Sequence, residues 1–85
     1  MKKLALTTPG DLSETLLANA IELALPEGHD GYADLVVHPS QLRPAMKLAA
    51  EQNKAKGLQI RVLAEERVGV YGWKLKTRNA EVVGS

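Results

Sequence analysis

Apolar positions along this chain change their period several times, and each change marks an element. From Asp11 to Leu25, Leu12, Leu16, Ala20, Leu23 and Ala24 fall at helical spacing, which puts their side chains on one face. Asp11-Leu12-Ser13-Glu14 reads as a capping box, with Asp11 accepting a first-turn amide and Glu14 reaching back. Pro26 and Gly28 predict the end of this helix near Leu25, and Glu27-Gly28-His29-Asp30-Gly31 predicts a loop. Asp34-Leu35-Val36-Val37-His38 has a continuous apolar centre, as expected of a strand covered on both faces. Pro39-Ser40-Gln41-Leu42 opens a second helix that runs to Gly57, with Ser40 as N-cap and Gly57 as C-cap. Pro44 lies early enough in it to be tolerated. Leu42, Ala45, Met46, Leu48 and Ala49 form its predicted buried stripe, with Arg43, Lys47, Glu51 and Lys54 on the opposite side.

Beyond Gly57 the period shortens. Leu58, Ile60 and Val62 alternate with Gln59, Arg61 and Leu63, predicting a half-buried strand over Leu58–Leu63. Ala64-Glu65-Glu66-Arg67 reads as a connection into a second strand over Val68–Thr77, and the two strands read as a hairpin. In that second strand Tyr71, Trp73 and Leu75 share one face, and Val70, Gly72, Lys74 and Lys76 share the other. Lys3 to Thr7 alternates weakly, predicting a short edge strand broken by Thr8-Pro9-Gly10. Residues 79–85 carry no strong pattern and read as a loose tail. The elements predict one α/β (α+β) domain over residues 1–78: a three- or four-stranded mixed sheet with two helices packed on it.

Composition narrows the chemistry. At 85 residues, one domain is expected, and a hydrophobic share of 45% suffices for a core. Tyr32, Tyr71 and Trp73 are the only aromatic residues, so that core must be aliphatic. With no cysteine, neither a disulfide framework nor a Cys-based zinc site can form. No apolar run approaches the roughly 18 residues of a membrane span. Met1-Lys2-Lys3-Leu4 begins like a secretory leader but meets Thr7-Thr8-Pro9-Gly10-Asp11 too early for an apolar region, which points to the cytoplasm.

Candidate catalytic groups are sparse. His29 and His38, with Asp30 and Asp34 between them, match no standard metal-ligand spacing. Asp34, His38 and Ser40 do not make a triad, because no Gly-x-Ser-x-Gly elbow is present and near neighbours on a strand point to alternating faces. Gly69 and Gly72 open no helix and so make no phosphate loop. The residues therefore predict no enzyme, no cofactor and no metal.

Charge is distributed unevenly beneath a formal net of +1. Residues 1–42 are acidic in balance, while residues 43–78 carry nine basic against three acidic side chains. Arg43, Lys47 and Lys54 on a helix face, with Arg61, Lys74, Lys76 and Arg78 on a hairpin face, make a candidate interaction surface. A protein partner or self-association fits such polarity. Nucleic acid is the alternative, but a single-strand binder wants exposed aromatics, and Tyr71 and Trp73 read as facing away from Lys74 and Lys76. The pI near 8.1 is also low for a nucleic-acid domain.

The run Asp34-Leu-Val-Val-His-Pro-Ser-Gln-Leu-Arg-Pro-Ala-Met-Lys-Leu-Ala resembles a segment of tailed-phage major capsid proteins of the HK97 type, in which an apolar strand leads into an Ala- and Leu-rich helix. The helix from Leu12 to Leu25 and the later aromatic-bearing strand are similar to elements of that family, so the resemblance covers about residues 11–77. It implies a phage-related, non-enzymatic protein-interaction or capsid-assembly-like module that works by self-contact, in the host cytoplasm or the virion. The chain departs from the family in lacking room for its N-terminal arm, extended loop and spine helix. The resemblance thus implies a fragment, a truncated relative, or a small protein of the same local topology. The alternative function is a small basic regulator that binds nucleic acid or inhibits a host nucleic-acid enzyme.

Because two histidines at this spacing cannot close a four-ligand site, excess chelator is expected to leave the thermal midpoint unchanged. Circular dichroism would show it, and a clear drop would restore His29 and His38 as ligands.

Overall fold

The computed structural model describes residues 4–8, 11–25, 29–78 and 80–84. Seven regular elements follow one another: β1 (Leu4–Thr8), α1 (Glu14–Ala24), β2 (Tyr32–Val37), α2 (Leu42–Lys56), β3 (Gln59–Ala64), β4 (Trp73–Lys76) and β5 (Ala80–Gly84). The five strands form one mixed sheet in the order β1-β5-β4-β2-β3. β1 pairs parallel with β5, β2 pairs parallel with β3, and β4 runs antiparallel to both β5 and β2. The architecture is the expected one, two helices on a mixed sheet. Lys3, the break at Pro9-Gly10 and the helix stop at Pro26-Gly28 lie outside the described residues.

Three expectations are corrected by the pairing. β3 and β4 do not form a hairpin, because β2 lies between them. Ala64-Glu65-Glu66-Arg67 lacks the glycine or asparagine of a tight hairpin turn. The chain instead passes over the end of β2, where Glu65 N–H donates to the Val37 carbonyl at 2.8 Å and Gln41 Nε2 donates to the Val70 carbonyl. The real hairpin is β4–β5. Its turn is closed by Thr77, whose hydroxyl accepts from Ala80 N–H at 2.9 Å and donates to the Ala80 carbonyl at 3.1 Å. Residues 80–84, expected in a loose tail, are therefore a strand, and they make the fifth in the sheet.

The helices start and stop for local reasons. Ser13, not Asp11, caps α1: its backbone is extended and its hydroxyl accepts from Leu16 N–H at 3.2 Å. α2 is preceded by a short 3-10 turn over Pro39–Gln41, so Ser40 lies inside that turn rather than at the helix N-cap. Gly57 ends α2 at φ +66°, the left-handed conformation that glycine adopts freely.

Both helices cover one face of the sheet, α1 above β4 and β5, α2 above β3 and β2. α1 buries Leu17, Ala20, Ile21 and Ala24, a stripe rotated from the expected one, so that Leu23 is exposed. α2 buries Ala45, Ala49 and Gln52, while Met46, expected inside, is 55% exposed. Small alanines on the inner face let α2 lie close on the sheet, and the long Met46 side chain points elsewhere. Beneath the helices Ala33, Leu35 and Val37 of β2 meet Ile60, Leu75, Trp73 and Val82. Val36 points to the other face yet is only 4% exposed, because Leu63 and Lys74 flank it in register.

Trp73 is buried: its strand lies beneath α1, and it is paired with Gly84 of β5. Tyr71, expected on its face, sits in the turn before β4 and is 67% exposed. A Cβ at Gly84 would stand within 2.4 Å of three atoms of the indole, so only glycine lets the ring lie flat on this strand. Trp73→Ala is expected to remove roughly 3–5 kcal/mol of stability through the cavity it leaves. Gly84→Ala should remove about 1–3 kcal/mol by forcing the ring aside, with a red shift in native emission. Urea unfolding followed by circular dichroism tests both, and a neutral Gly84→Ala would contradict the packing described.

Candidate functional site

The sheet divides the seven basic residues into two groups. Arg43, Lys47 and Lys54 lie on one side of α2, opposite Ala45 and Ala49, and are exposed to solvent above the helical layer. Lys74, Lys76 and Arg61 project from β4 and β3 on the uncovered sheet face, and Arg78 follows β4. The two groups face away from each other across the helix–sheet sandwich.

Acidic side chains interrupt the sheet-face group. Arg61 and Asp34 are direct neighbours across β3 and β2 and form a two-pronged pair, Nε to Oδ1 at 3.1 Å and Nη2 to Oδ2 at 3.2 Å. Hydrogen bonding to Asp34, and then its charge, hold the Arg61 guanidinium above its ordinary pKa. Arg78 pairs with Asp30 at 3.3 Å, and Lys74 approaches Glu65 at 4.0 Å. Lys76 faces Asp34 on one side and Glu81 on the other in the strand register. The face is thus an alternating ladder of charges rather than a basic patch. At its lower end a groove of about 780 Å³ is lined by Tyr32, Asp34, Arg61, Lys76 and Arg78.

Both histidines serve local turns. His29 Nδ1 accepts from Gly31 N–H at 2.8 Å, and His38 Nδ1 accepts from Ser40 N–H at 3.1 Å with the Ser40 hydroxyl at 2.9 Å. They lie before and after a six-residue strand, roughly 20 Å or more apart along the chain. Among the described residues no three His, Asp or Glu side chains come together as a metal cage. Nor among them is any helix long and apolar enough to cross a membrane.

The feature that sequence reading missed is the outer edge of β3. In this strand Gln59 N–H donates to Gly31 and Glu65 N–H to Val37, so the odd-numbered residues bond to β2 and Ile60, Val62 and Ala64 turn their peptide groups outward. Ile60 is closed by a side chain. Asn53 accepts from its N–H at 2.8 Å and donates to its carbonyl at 3.2 Å, standing in for one residue of a neighbouring strand. Val62 and Ala64 have no such partner among the described residues. The only hint in the sequence is a weak helix former, Asn53, set in the last turns of an otherwise helix-favouring run.

Set against protein-family models, curated proteins and solved structures, the chain matches none of them.

Asn53→Ala leaves both polar groups of Ile60 without a protein partner. It is expected to lower stability by about 1–2 kcal/mol despite alanine's better helix propensity. Amide exchange at Ile60 should quicken in step, and an unchanged or raised urea midpoint would contradict the role given to Asn53.

Proposed function

We propose that this chain is a non-enzymatic protein-association module that lends the outer edge of β3 to another protein strand. The observation that carries this reading is the end of β3, where Val62 and Ala64 turn outward peptide groups that have no partner among the described residues, beside an edge that Asn53 otherwise closes. An exposed strand edge is a template for another strand, with main-chain hydrogen bonds supplying affinity and flanking side chains supplying selectivity. The resemblance of the Asp34–Ala49 run to HK97-type capsid subunits points the same way, since such subunits work by mutual contact. The charge ladder of the uncovered face also suits protein better than nucleic acid, because Asp34, Asp30 and Glu65 already engage Arg61, Arg78 and Lys74.

Nucleic acid is the second reading, supported by one observation. Tyr32 is half-exposed in the groove beside Lys76, Arg61 and Arg78, an arrangement on which a base can stack while its phosphate is neutralised.

Light scattering in low and high salt separates the two. The association reading expects a discrete mass above the monomer that persists in high salt. Ala64→Pro removes an outward N–H at an exposed edge position, so it should abolish that assembly while shifting the melting temperature by only a few degrees. Reversing charge at Lys74 and Lys76 should leave assembly through the edge in place. A monomer at every salt concentration, with affinity for a mixed-sequence oligonucleotide that falls steeply with salt, would overturn the association reading in favour of the second.

A further inference from the structure

We infer that the strand which completes the β3 edge is β3 of a second copy of this chain, running antiparallel about a two-fold axis at Leu63. The inference rests on the association reading above and names its partner. In an antiparallel pair centred on Leu63, residue numbers that face each other add to the same total, so Val62 opposes the partner's Ala64 and Ala64 opposes the partner's Val62. These are the two residues of β3 whose outward peptide groups have no partner among the described residues, and each opposed pair exchanges both of its N–H···O bonds, giving four across the axis. No other register uses both of these residues against both. Shifting by two places brings Ile60 opposite Ala64, and Asn53 already occupies Ile60.

The side chains fit the same register. Leu63 is 37% exposed on the uncovered face and meets its own copy at the axis. Arg61 meets Glu65 of the second copy, and Glu65 meets the second copy's Arg61. Each of these charges is already paired on its inner side, Arg61 with Asp34 and Glu65 with Lys74. The interface therefore joins two short ladders into one row of alternating sign: Asp34, Arg61, then Glu65 and Lys74 of the second copy. Opposite charges placed directly across an antiparallel pair are favourable, and like charges there are not. On the helical side, Met46 lies seven residues before Asn53 and so on the same side of α2, where it is exposed above the edge. An axis perpendicular to the sheet keeps the helices of both copies on one side and both ladders on the other. Such an isologous contact closes on itself, so it yields a dimer with a ten-stranded sheet and not a filament.

Two measurements test the register. Leu63→Cys places one thiol per chain, in a sequence with no other, at a non-hydrogen-bonded pair. The Cα atoms of such a pair stand about 4.5 Å apart, within disulfide reach. Mild oxidation is expected to convert it quantitatively to a disulfide-linked dimer, while Val70→Cys, exposed in the turn before β4 and outside β3, should not cross-link. Arg61→Glu and Glu65→Arg should each weaken self-association by about tenfold or more, since each puts two like-charge pairs across the axis. Mixed together, the two variants should recover a dimer, because every like pair across the axis becomes an opposite one. Sedimentation and circular dichroism give mass and folding for each. A discrete assembly that Ala64→Pro abolishes, but in which Leu63→Cys fails to cross-link or the mixture fails to recover, would overturn the second copy while leaving the edge reading standing. A monomer in every variant would overturn both.

Discussion

β2 is flanked on both edges, by β3 running parallel and β4 running antiparallel, and its consecutive Leu35, Val36 and Val37 are all buried. The rest of the molecule follows from satisfying that one strand. A parallel neighbour cannot be reached by a tight turn, so α2 must carry the chain back across the face before β3 begins. The crossover covers only half of the sheet, and α1 is needed over the other half. β1 and β2 run parallel but are three places apart, and the antiparallel pair β4–β5 fills the gap between them. Each choice removes backbone polar groups from water while burying aliphatic area, the dominant favourable term for a chain with so few aromatic rings.

Elements held together by neighbours in sequence were legible before the structure. The continuous run at Leu35–Val37 marked a covered strand, and Gly57 marked the end of α2 in the conformation it adopts. Elements defined by distant partners were not. Nothing within Leu58–Thr77 says that β2 will separate its two strands, and adjacency in sequence favours a hairpin in the absence of that knowledge. Ala80–Gly84 does alternate in burial, but five residues without a turn signal carry too little pattern to announce a strand. Helical stripes were legible only to within a residue or two. Met46 and Leu23 satisfy the spacing as well as Gln52 and Ile21 do, and packing against particular strands decides between them.

The seven cations illustrate the same limit at the level of function. Sequence already divides them between a helix face and a strand face, but it does not show that three of those near the sheet face have an acidic partner. Asp30, Asp34 and Glu65 were counted in the chain's overall balance, yet their effect is local. Exposed pairs of this kind contribute little to stability, so their value lies in setting which surfaces can approach one another. Asn53 belongs to the same class of feature. It carries no charge and no chemistry, and it matters only because α2 delivers it to one peptide unit at the rim of the sheet.

The position of β5 has a consequence for time rather than for shape. It is the last of the seven elements along the chain and the second strand across the sheet, and Leu4 waits for Ala80 before β1 has any neighbour among the described strands. Pairings between such distant segments form late, because loop-closure entropy is lost before any contact repays it. Until that moment β1 and the far edge of β4 stand bare, a window in which a nascent chain is most open to capture by chaperones or by strands of other molecules. The molecule carries its own clock for that step: its single tryptophan lies on Gly84 and changes surroundings when the final strand docks.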